Sequence, residues 1–131
     1  MIVLDASAAV EVLLGLPAAE ALMQRIFAPG ESIHAPHLVD VEVASVIRRY
    51  ARSGQITASR GAEAIRDLAD FPLTRHGHDV LLDRIWQLRN NVTAHDAAYL
   101  ACAEALDAVL VTRDAALTKV PGVAARVEVF G

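Results

Sequence analysis

Short apolar runs alternating with longer helical patterns limit this chain to very few architectures. Strand-type runs fall at residues 2–5, 32–35, 73–75, 108–112 and 126–130. Helical periodicity occupies residues 7–14, 18–27, 37–52, 58–70, 78–89, 94–106 and, briefly, 115–119. Turn formers such as Pro29-Gly30, Gly54, Pro72, Gly77 and Pro121-Gly122 punctuate the segments. Strands separated by helices cannot pair as hairpins, and the runs are nearly all apolar. Both properties belong to a mostly parallel sheet buried on its two faces. The expected fold is therefore α/β, a three-layer α/β/α arrangement with a central sheet of four to five strands.

Length and composition agree. The 131 residues suit one domain spanning 1–131, with no linker, repeat or low-complexity tract. The chain is 54% hydrophobic but 5% aromatic, so Ala, Val, Leu and Ile must build the core. That apolar excess also points to a buried dimer or partner face. A formal net charge of -4 argues against nucleic-acid binding by bulk basicity. It leaves room for a nuclease whose carboxylates are offset by bound cations. The single cysteine, Cys102, cannot form an internal disulfide and suits a reducing cytosol. The N-terminus lacks a basic leader and is interrupted by Asp5 and Glu11, so it reads as a strand and helix, and no run is long enough to span a bilayer.

Four acids deserve scrutiny because of where they fall. Asp5 closes the apolar run Ile2-Val3-Leu4, and Asp114 closely follows Val109-Leu110-Val111-Thr112. Carboxyl ends of parallel strands are where ligands bind in open α/β sheets. Asp5 could cap the following helix, but Ser7 can take that role and leave Asp5 free. Glu42 lies at one border of the apolar face formed by Val39, Val43, Val46, Ile47 and Tyr50, and Asp40 lies at the other. Periodicity does not choose between them, and Arg49 lies on the Glu42 side as an ion-pair partner. Thr93-Ala94-His95-Asp96 matches a capping box, and Asp114 can cap a short helix. A first-turn carboxylate can still present an oxygen to a metal. Acids gathered at strand ends repel one another unless a divalent cation lies between them.

Four segments in order carry a resemblance: Ile2-Val3-Leu4-Asp5-Ala6-Ser7, Leu38-Val39-Asp40-Val41-Glu42-Val43, Leu88 through Tyr99, and Leu110-Val111-Thr112-Arg113-Asp114. The chain resembles PIN-domain ribonucleases from end to end, and among them the VapC toxins of bacterial type II toxin–antitoxin modules. The resemblance implies a PIN-like fold and an acidic quartet of Asp5, Glu42, Asp96 and Asp114 that holds Mg²⁺ or Mn²⁺, with Ser7 and Thr112 as supporting hydroxyls. It favours Glu42 over Asp40. It further implies metal-assisted hydrolysis of RNA phosphodiesters, a cognate VapB-type antitoxin, a homodimer and a cytoplasmic setting without a membrane. His95 departs from the pattern, standing where many relatives carry Tyr, and is read as facing solvent.

Other readings are weaker. A phosphoacceptor domain of the haloacid type requires a second Asp where Ser7 stands, and a receiver-like domain requires an Asp where the third strand leads into Arg75-His76-Gly77-His78. A non-catalytic PIN-fold interaction module would have no reason to keep four acids. His34 with His37, and His76 with His78, lack a third ligand at a metal-site spacing. Trp86, near Leu82, Ile85 and Leu88, reads as core or dimer packing.

Overall fold

Ile2, Val3 and Leu4 are wholly buried and form β1 (Ile2–Leu4), the middle strand of the sheet. In the computed structural model, which describes residues 1–131, β2 (Ile33–Pro36) and β3 (Leu73–His76) extend the sheet on one side of β1. On the other side lie β4 (Val109–Thr112) and β5 (Arg126–Val129), giving the order β3-β2-β1-β4-β5. Every pairing is parallel, so the expected mostly parallel sheet is entirely so. The chain steps outward through β2 and β3, then returns to place β4 against β1. Strand order therefore reverses between β1 and β4, and the carboxyl ends of those strands flank the crevice where such sheets bind ligands.

Helices α1 (Ala6–Leu14), α2 (Ala19–Ile26), α3 (Leu38–Arg52) and α4 (Ala58–Asp70) lie on one side of the sheet, with α1 touching all the others. Right-handed crossovers place α5 (Leu82–Gln87) and α6 (Ala94–Leu106) on the opposite side. The small residues of α6 let it approach the sheet closely: every residue from 97 to 103 is buried, Cys102 among them.

Three expectations change in the structure. The helix expected over 78–89 divides into a 3-10 turn, Asp79–Leu81, and the short α5. The side chain of His78 is tied down by the Leu38 amide, which donates to Nε2 at 2.9 Å, while Leu81 N–H closes a tight turn on the His78 carbonyl. Residues 115–119 are likewise 3-10 rather than α-helical. Trp86 is not core: it is 67% exposed, with the Arg89 guanidinium 4.5 Å from its ring centroid. No helix is long and apolar enough to cross a membrane.

Candidate metal centre and active site

Asp5 follows β1 directly and occupies the N-cap position of α1, yet its side chain makes no capping bond. Ser7 does not cap the helix either, contrary to the sequence expectation, because it lies inside the first turn. Its hydroxyl instead donates to Asp5 Oδ2 at 3.0 Å and accepts from the Arg113 amide at 3.1 Å. Thr112, fully buried at the end of β4, donates to the same Oδ2 at 2.6 Å. Two hydroxyls thus hold one oxygen of a carboxylate that is only 7% exposed. Burial raises the pKa of Asp5 above the usual carboxylate value; the two hydroxyl bonds oppose that shift and Asp114 adds to it.

Asp5 lies in a cleft of about 460 Å³ whose lining includes Ser7, Glu42, Ser45, Arg49, His95, Asp96 and Asp114. All four sequence-nominated acids therefore face one space. Asp40 does not: it takes Arg75 in a bidentate pair, with contacts of 2.8 to 3.0 Å, on the far border of α3. Glu42 accepts from the phenol of Tyr99 at 2.6 Å. Its pKa is raised by burial first and by Asp5 and Asp96 beyond that, while the Tyr99 bond pulls it back. The pKa of Asp96 is raised by burial and then by Asp5 and Asp114.

The capping alternatives prove compatible with a cleft position. Thr93 caps α6 by accepting from the Asp96 amide at 3.2 Å, while the Asp96 carboxylate lines the cleft. Asp114 caps the 3-10 turn through Oδ1, which accepts from Ala116 N–H at 2.9 Å, and it is the exposed member of the quartet. His95 is exposed on the rim and lines the cleft without a hydrogen-bond partner.

None of the four acids takes part in an ion pair. The buried acid outside the cleft is treated differently. Glu11, 4% exposed, accepts from Arg113 Nη1 at 2.6 Å and from the Ala18 amide at 2.9 Å. As the side chains stand, no three His, Cys, Asp or Glu residues converge closely enough to hold an ion. The quartet lines the cleft without closing on a point.

Sequence reading missed two contributors and offered a third, Arg49, a partner that it does not take. Tyr99 gave no signal beyond its aromatic character in a small-residue helix. Glu11 stood out only as a charge within the apolar Ala8-Ala9-Val10-Glu11-Val12-Leu13, and its partner lies 102 positions away. Arg49 does not pair with Glu42 but remains free in the cleft. The histidines pair between the two segments rather than within them: His34 Nδ1 on β2 lies 2.9 Å from His76 Nε2 on β3, and His37 meets His78 edge-on just beyond the strands.

Comparison with known proteins decides the lineage. The PIN domain family model matches residues 2–123. The chain belongs to the PIN-domain family. This PIN domain is 42% identical to a VapC ribonuclease of Mycobacterium bovis over 90% of the chain and 89% of the relative. It is 39% identical to ribonuclease VapC12 of Mycobacterium tuberculosis over 98% of both. Its fold matches VapBC2 from Rickettsia felis, solved bound to a promoter DNA fragment, with TM-score 0.72 at 16% identity and 100% coverage of both chains. It also matches Mycobacterium tuberculosis VapC20, a sarcin–ricin loop cleaving toxin, with TM-score 0.70 at 13% identity, over 95% of this chain and 97% of that one.

Proposed function

We propose that this chain, one PIN domain across residues 1–131, is the toxin of a type II toxin–antitoxin module and a metal-dependent endoribonuclease. The observation that carries the reading is the set of four carboxylates around one cleft without a single cationic partner, in a molecule that pairs its other buried acid. Relatives named as VapC ribonucleases supply the reaction class.

The donor set fits a hard divalent ion, because Asp5, Glu42, Asp96 and Asp114 offer only oxygen. Mg²⁺ is the proposed ion, and Mn²⁺ a substitute at the same oxygens. When bound, such an ion supplies an acidified water and neutralises charge on the phosphate. The residues of the chain do the rest. Thr112 and Ser7 fix Asp5 by its Oδ2, so the carboxylate is oriented before any ligand arrives. Tyr99 does the same for Glu42, holding its carboxylate in the cleft as an acceptor for a proton. Asp96 at the start of α6 and Asp114 after β4 complete the acidic wall. A VapB-type antitoxin is the proposed partner, and a homodimer and a cytoplasmic setting accompany the reading.

The test is cleavage of total RNA by purified protein with Mg²⁺, Mn²⁺ or EDTA, and by Asp5→Asn and Asp96→Asn. Cutting that needs the ion and fails in both variants supports the reading. Cutting indifferent to chelation and to both substitutions rules it out.

A further inference from the structure

Helix α3 carries more than Glu42 into the cleft. Glu42, Ser45, Arg49 and Arg52 follow one another at spacings of three, four and three, which places them along one stripe of the helix. Ser45 and Arg49 line the cleft together with the acids. At 1.5 Å rise per residue, Arg49 and Arg52 stand roughly 10 and 15 Å along the axis from Glu42. Ser45, Arg49 and Arg52 are exposed, and neither arginine joins an ion pair, whereas Arg25, Arg75, Arg84 and Arg113 are all engaged by carboxylates.

Arg49 is the one arginine that lines the cleft of the four acids, and it lies there without a carboxylate partner. Its position suits a polyanion that lays one phosphate against the acids and their ion, and its neighbouring phosphates along α3. With a net charge of -4, the protein has no bulk basicity to draw RNA in, so the anchor must be local. Arginine's planar fork matches phosphate oxygens bidentately, and the Ser45 hydroxyl can donate to the same backbone.

We propose that Ser45, Arg49 and Arg52 form a phosphate track that holds the single-stranded RNA backbone flanking the cut. The proposal rests on the ribonuclease reading and adds the path of the substrate to it. The track binds phosphates and not bases, so it supplies affinity and register without sequence preference.

Fluorescence anisotropy of a fluorescein-labelled, mixed-sequence single-stranded RNA tests the track, with EDTA present so that nothing is cut. Arg49→Gln and Arg52→Gln should each weaken binding about three- to tenfold, and the double variant should flatten the dependence of log affinity on log salt by about 1.4, near 0.7 per lost contact. Arg49→Lys should keep the parental slope and recover part of the affinity. Arg66→Gln, which removes an exposed arginine on α4, should change nothing. In cleavage assays KM should rise for the track variants while kcat stays within about twofold of the parent. Melting temperatures of these surface variants check that folding is intact. Unchanged affinity and slope in the double variant, or a loss no larger than that of Arg66→Gln, overturns the track. So does unchanged RNA binding with weakened binding of the purified cognate antitoxin, which would make the stripe a protein-docking face. Parent protein that neither binds nor cuts RNA instead removes the ribonuclease reading itself.

Discussion

Tyr99 and Glu42 are joined by a 2.6 Å hydrogen bond that links the two helical layers around the carboxyl edge of the sheet. The phenol sits on α6 and is 1% exposed, while the carboxylate sits on α3 and faces the cleft. A buried donor with one partner fixes that partner's rotamer, and burial together with Glu42 keeps the phenol protonated.

Tyr99→Phe removes that donor and little else. The bond favours the charged form of Glu42, so its loss should move the Glu42 pKa further upward and shift the acidic limb of the rate profile to higher pH. kcat/KM near neutrality should fall about tenfold, roughly 1.4 kcal/mol of transition-state stabilisation. A pH–rate profile of the two proteins reads both effects, and superimposable profiles would dismiss the orienting role.

Asp5→Asn should stabilise the metal-free protein while abolishing activity. The folded-state pKa of Asp5 lies above the unfolded value of 3.8, so between the two the native state binds more protons than the unfolded chain. Stability contributed by this group therefore falls as pH rises through that window, and the penalty is complete above the folded pKa. In EDTA at neutral pH the variant should gain roughly 1 kcal/mol, about 4 °C in Tm. The advantage should shrink as pH is lowered through the same window, and a pH series of melting curves checks the sign.

Mn²⁺ or Mg²⁺ should stabilise the parent at neutral pH by about 2.7 kcal/mol at a hundredfold excess over Kd, read as a rise in Tm. Asp5, Glu42 and Asp96 all have raised pKa values, and a carboxylate must lose its proton to ligate. The metal-induced increment should therefore decline on acidification. It should also vanish in Asp5→Asn and Asp96→Asn; a full increment in both variants would place the ion elsewhere.

The Glu11–Arg113 pair makes an asymmetric prediction. Arg113→Ala strands a buried carboxylate and should cost about 3 kcal/mol. Glu11→Gln keeps an acceptor for the Ala18 amide and frees an arginine that can reach water, so its cost should be closer to about 1 kcal/mol. Urea midpoints at constant m-value measure both, and equal losses would contradict the argument.

The regular parts of this fold were legible because their signals are local. The wholly apolar Ile2-Val3-Leu4 announced a central strand, and Thr93 with the alanines after it announced the start of α6 and its close approach to the sheet. The acids at the ends of β1 and β4 were legible for the same reason, since strand ends can be read from apolar runs. Glu42 and Asp40 were not separable, because a helical wheel gives the borders of a face but not what lies beyond each border. Arg75 on β3 occupies one side and the cleft the other, and only tertiary placement shows it. Of the two readings of Trp86, core packing fails because the helix around it breaks into a short surface segment. Glu11 and the cross-strand His34–His76 contact depend on partners that no spacing rule reaches.

The 2.6 Å bond from Thr112 to Asp5 spans 107 positions of sequence. A ribosome adding roughly 5–20 residues per second delivers Thr112 on the order of 5–20 s after Asp5. Through that interval the nascent chain carries the buried acid of its cleft without the strand that orients it and without Asp114. Synthesis order itself thus withholds the Thr112 anchor from Asp5 until β4 slides in beside β1.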